Sequence, residues 1–187
     1  MDAFGYLSVL ISIILGLAVT QLLQGFRGIV LARRVVRVYW PALGWAVLLL
    51  VIDVQSWWAM FGLRAVQQWT FAEFAVVLLQ AVMLYMLAAL VLPDFSADRA
   101  VDLRQHYFET RRWSFGAAAV TALVSLAKDL VIAGQLPSPG NVGFHVFFIV
   151  AALVAIATSA EWFHRLLPLL LLIVFGVYIG TLFAQLR

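Results

Sequence analysis

In this chain of 187 residues, 65% of the side chains are apolar, only 11% are charged, and the mean hydropathy is +1.04. So few charges cannot cover a water-facing surface, which excludes an ordinary soluble domain and leaves lipid as the solvent. The net charge of +3 comes from arginines in loops and does not read as a nucleic-acid surface, and the lack of cysteine excludes disulfides, iron–sulfur clusters and thiol chemistry.

A helix needs about 20 apolar residues to cross a hydrocarbon core of ~30 Å. Six segments meet that length: Phe4–Val30, Trp40–Leu63, Phe71–Leu92, Trp113–Ala133, Val142–Ser159 and Leu167–Leu186. No connection is long enough to fold independently, so residues 1–187 form a single all-α membrane domain. The opening Met1-Asp2-Ala3 lacks a basic region, so the first apolar segment is expected to remain as a span rather than be cleaved as a signal peptide. Pro41 and Pro168 suit first helical turns, Pro93 ends the third span, and Pro137-Ser138-Pro139-Gly140 is a turn. The third loop is expected to hold a short helix around Asp98 to Glu109, lying at the interface or extending the fourth span.

Nine arginines (27, 33, 34, 37, 99, 104, 111, 112 and 165) fall in or beside the first, third and fifth loops, whereas the opposite side has only Arg64 and Arg187. Positive loops stay in the cytoplasm, which puts both termini outside. The tryptophans agree: Trp40, Trp113 and Trp162 mark one interface and Trp57, Trp58 and Trp69 the other.

Several polar residues interrupt the spans. The first carries small or polar residues at every fourth position, Ser8, Ser12, Gly16, Thr20, Gln24 and Gly28, which reads as a packing seam with pore lining as the alternative. Gly176, Gly180 and Ala184 form a similar row in the sixth span, internal or at a dimer face. Asp53 lies ~20 Å deep at 1.5 Å per residue, and Gln80 and Lys128 reach a similar depth by the same count. A charge at the bilayer centre costs roughly 2.5–3.5 kcal/mol, so these groups are expected to turn inward. Lys128 is predicted to pair with Asp53, with Asp129 completing a triad or turning outward. Lysine can shed its proton where arginine cannot, so this cluster fits a proton or ion pathway, and a static ion pair fixing helix register is the alternative.

His106 and Glu109, and Glu161 and His164, each stand three residues apart and share a helix side. Two such pairs would suit zinc or iron at the arginine-rich face; otherwise no cofactor is implied. His145, near the end of the fifth span, reads as a satisfied interfacial residue. Signatures of metalloproteases, nucleophile elbows and phosphate loops are missing. Ser125 has no histidine near it in sequence or at its counted depth, which disfavours a serine hydrolase.

The opening Ser8-Val-Leu-Ile-Ser12-Ile-Ile-Leu-Gly16-Leu-Ala-Val-Thr20-Gln21-Leu-Leu-Gln24-Gly25, the arginine-rich loop after it and Tyr39-Trp40-Pro41 resemble a group of small bacterial inner-membrane proteins with no assigned function. The resemblance implies a multi-pass protein of the bacterial cytoplasmic membrane and no particular chemistry. The leading expectation is therefore an oligomeric ion or proton channel or carrier with Asp53, Gln80, Lys128 and Asp129 at its midpoint. A non-catalytic scaffold subunit comes second, and a metal site of His106, Glu109, Glu161 and His164 third.

Overall fold

The computed structural model describes residues 3–95 and 100–182. Six helices long and apolar enough to cross a membrane make up an all-α bundle. They are α1 (Ala3–Leu31), α2 (Trp40–Ala59), α3 (Phe71–Val91), α4 (Leu103–Ala133), α5 (Pro139–Ala157) and α6 (Glu161–Leu182), and α2 runs on into a 3-10 turn, Met60–Ala65. Arg99, Ala184, Leu186 and Arg187, and the start of the expected third-loop helix at Asp98, lie outside the described residues.

Local chemistry sets the helix ends. Thr70 and Glu73 form a capping box on α3, with the Glu73 carboxylate accepting from Thr70 N at 2.6 Å. The Asp102 carboxylate accepts from the backbone N–H of Arg104 and Gln105 at 2.9 and 3.1 Å and starts α4 there. The third-loop segment therefore extends the fourth span. Gly134 closes α4 with φ 67°, a left-handed turn that glycine takes without a Cβ penalty. Ser138 caps α5, with Pro139 in its first turn.

The sixth helix departs from expectation. It begins at Glu161 rather than Leu167, because its polar first turn is held by side chains of α4, which a hydropathy window does not register. Pro168 is consequently inside the helix and not in its first turn. Its ring is fully buried against α2, where a Cβ added at Gly44 would lie 3.0 Å from the Pro168 Cβ. Neither backbone can yield easily at that crossing. Gly44→Ala is expected to lower stability by about 1 kcal/mol in thermal unfolding of detergent-purified protein, whereas the unobstructed Gly62→Ala should not.

Helix α2 is central, touching α1, α3, α4 and α6, while α3 packs on α1 and α4, and α5 on α4 and α6. On α1 the buried stripe is Ile11, Leu15, Ala18, Leu22 and Gly25. The row expected to be a seam is a seam only at its ends: Gly16, Thr20 and Gln24 are exposed, whereas Ser12 accepts from Trp57 Nε1 at 3.3 Å and Gly28 packs closely on Phe95. Leucine and isoleucine alternate with Ala18 and Gly25 in that contact, Gly25 lying close under Leu92, and Thr20 satisfies its hydroxyl on Gly16 O at 2.7 Å within its own helix. Gly176 and Gly180 also face open space.

One end of the bundle is clipped together. Val36–Arg37 and Val101–Asp102 pair as a two-residue parallel bridge joining the first and third arginine-rich loops. Arg104 and Arg165 both donate to Glu161 at 2.9 Å. Beneath them His164 is fully buried on α6. Its Nε2 lies 2.9 Å from Thr158 O, a carbonyl that can only accept, so Nε2 carries the hydrogen and Nδ1 accepts from Tyr107 OH at 2.9 Å.

Candidate functional site

At the other end of the bundle no such clip joins the described residues of α4 and α5 to α2. On α4, Thr121, Ser125 and Asp129 recur at the four-residue spacing that puts side chains on one helix face, with Lys128 beside them. That face looks into the bundle. Opposite it stand Gln55 and Ser56 of α2, Gln80 of α3, Asn141 and His145 of α5, and Tyr178 of α6.

These side chains line two adjoining cavities. The outer one, about 310 Å³, is bordered by the 3-10 turn at Gly62 and Leu63, by Lys128 and Asp129, and by Asn141 in the first turn of α5. The inner one, about 130 Å³, is floored by apolar groups including Trp45, Leu49, Leu87, Phe148 and Phe175. Gln55, Ser56, Gln80, Ser125, His145 and Tyr178 line both, so they form a polar belt where the wet mouth meets the apolar floor. A third void of about 30 Å³ continues from the floor past Trp45, Leu49, Leu87 and Ala118 toward Tyr107 and Arg111.

The belt contains a serine–histidine contact that the chain's spacing does not announce. Ser125 Oγ lies 3.0 Å from His145 Nε2. His145 Nδ1 lies 2.9 Å from Asn141 O, whose carbonyl accepts, so in the neutral ring Nδ1 holds the hydrogen and Nε2 accepts from the serine hydroxyl. Tyr178 OH donates to Asn141 Oδ1 at 3.4 Å. His145 is satisfied, as expected, but it is buried in the bundle and serves Ser125. Helices α4 and α5 form a hairpin, and the two residues stand equally far from Gln135 in its turn, so antiparallel packing brings them level. Taking His145 as a residue of the span end, and not as one facing back along the hairpin, is what hid the pairing.

The expected midpoint cluster is divided. Lys128 Nζ pairs with Asp129 Oδ1 at 3.6 Å, near the mouth and five residues before the end of α4. Gln80 lines the same cavity, with its amide making no hydrogen bond to any described residue. Asp53 is elsewhere: it is 1% exposed on the α2 stripe with Ala42, Ala46 and Met60, borders neither cavity, and neither carboxylate oxygen has a hydrogen-bond partner among the described residues. The predicted Lys128–Asp53 pair is thus replaced by a Lys128–Asp129 pair. One turn of a helix face separates a side chain lining the cavity from one packed behind it, and residue counting gives depth without that angle.

The four side chains considered for zinc or iron do not converge. Arg104 and Tyr107 of α4 meet Glu161 and His164 of α6 at the same sequence offset of 57, so parallel helices match one i, i+3 pair to another. His106 instead turns to α3, where its Nε2 reaches Leu90 O at 3.1 Å, and Glu109 accepts from Gln105 at 2.8 Å in an exposed position. Among the described residues no three His, Asp or Glu side chains are grouped to hold a metal.

The chain matches no known family, no curated protein and no solved structure.

Proposed function

We propose that this multi-pass membrane protein binds a small amphiphilic molecule in the cavity between α2, α3, α4, α5 and α6. The observation that carries this reading is the order of the lining: a charged mouth, a polar belt, then an apolar floor. Concave, mostly apolar sites with a few convergent polar groups are where proteins hold small molecules. The half-buried belt amides of Gln55 and Gln80 are not engaged by the described residues, so they are available to a ligand in the cavity. By the positive-inside rule the arginine-rich end lies in the cytoplasm and the mouth faces outward, in keeping with a bacterial cytoplasmic membrane. The exposed small-residue rows on α1 and α6 leave room for a second copy beside the bundle.

Trp45 provides the test. It is 9% exposed and lines the cavity floor, so a quencher dissolved in lipid does not reach it directly. In nanodiscs, a single-chain alkyl ether brominated near its tail is expected to quench Trp45 saturably, read as the difference between the chain and its Trp45→Phe variant. Ala118→Phe, which projects a ring into the cavity, should abolish that component. Quenching that stays linear in added ether, or is indifferent to Ala118→Phe, rejects the site.

A second reading, solute or proton passage through the bundle, is favoured by the third void, which prolongs the cavity toward the arginine-rich end. It requires flux in proteoliposomes that Ala118→Phe blocks.

A further inference from the structure

We propose that Ser125 and His145 form a nucleophile and general-base pair that hydrolyses an acyl ester whose chain occupies the apolar floor of the cavity. The proposal rests on the amphiphile-binding reading and adds a reaction to it. Three observations carry it. The hydrogen bond from Ser125 Oγ to His145 Nε2 is 3.0 Å, within the range over which a histidine takes a proton from an attacking hydroxyl. The far ring nitrogen is fixed on Asn141 O at 2.9 Å, which sets the tautomer and the plane of the ring, the task a third group performs in hydrolytic triads. Finally, both residues line both cavities, so the nucleophile stands at the boundary between polar mouth and apolar floor. An amphiphilic ester lying along that gradient, chain inward and head toward Lys128 and Asp129, brings its carbonyl to the same boundary.

The reaction balances with water as the only co-reactant. Ser125 Oγ attacks the carbonyl carbon while its proton passes to His145 Nε2. The carbon–oxygen bond to the alcohol breaks, and the alcohol leaves with that proton. Water then attacks the acyl-serine, giving one proton to His145 and returning one through it to Ser125 Oγ as the fatty acid departs. The amide N–H groups of Gln55 and Gln80 on the facing wall are the donors available to the carbonyl oxygen as it becomes negative.

An alkyl fluorophosphonate with a long chain mimics such an ester and remains attached to an activated serine. Full-length protein in nanodiscs is treated with it, and the adduct is located by peptide mass spectrometry. The expected result is modification of Ser125, slowed roughly 100-fold or more in His145→Gln and prevented by excess long-chain p-nitrophenyl ester, which is itself hydrolysed. Absence of an adduct on Ser125 overturns the proposal, as does an adduct that forms as fast in His145→Gln. Mapping the adduct on the unaltered chain needs no variant to fold. The brominated-ether measurement separates the two levels: Trp45 quenching without modification leaves the binding site and removes the reaction, and loss of both removes both readings.

Discussion

His164→Ala should destabilise the protein by about 3–5 kcal/mol, the range for truncating a large buried ring. The imidazole is fully buried, with Tyr107, Phe108 and Phe163 at centroid distances of 5.4, 5.3 and 5.5 Å. Removing it leaves a hole among aromatic rings and strips partners from Tyr107 OH and Thr158 O together. Tyr107→Phe separates the contributions, since it keeps the ring and deletes one hydroxyl. It should cost about 1–3 kcal/mol, the penalty of leaving Nδ1 buried and unpaired. Both are read from unfolding of detergent-solubilised protein. A His164→Ala change under about 1 kcal/mol would show that the ring is not the anchor of this end, since typical substitutions cost as much.

Asp53→Leu should act in the opposite direction, raising stability by about 1–3 kcal/mol. Both carboxylate oxygens are buried without a hydrogen-bond partner among the described residues, on a helix whose other buried residues are proline, alanine, leucine and tryptophan. Leucine has nearly the same reach and no polar atom to strand. Had Lys128 been its partner, the substitution would have left a buried cation alone and cost about 3–5 kcal/mol. The sign of the change therefore decides between the two arrangements. Lys128→Met, at the mouth and 20% exposed, should shift stability by less than about 0.5 kcal/mol, as partly exposed ion pairs usually do.

The architecture was largely legible from the chain alone. Six apolar runs of membrane length predict six helices, and their placement holds because the cost of exposing backbone in lipid leaves a spanning segment no other form. The inward extension of the fourth span to Leu103 is one of the two expected forms of the third-loop helix, whereas the start of α6 at Glu161 is not foreseen, because its polar first turn is held by a neighbour. Of the residues lining the cavity, Gln80, Lys128 and Asp129 stand out in the sequence as polar groups inside apolar runs. Gln55, Ser56, Asn141 and Tyr178 do not, being ordinary residues whose meaning lies in the cavity they share. The link between Ser125 and His145 was present in the sequence as symmetry about the α4–α5 turn, a signal that appears once hairpin partners are counted from the turn and not from the membrane edge. Asp53 shows the converse: an acid in a span draws the eye, yet its helix angle sets it behind the cavity wall.

The strand bridge, the Arg104–Glu161–Arg165 cluster and the His164 ring all gather in the half of the bundle beside the arginine-rich loops. Nothing comparable among the described residues ties α4 and α5 to α2 at the other rim, where Gly134 and Pro137 make a short uncharged elbow. Opening is therefore expected first at that rim. Amide deuteration should spread from that elbow while residues near Val101 and Tyr107 remain protected. On the binding proposal, a guest would then exchange at that rim while the arginine-rich end stays closed.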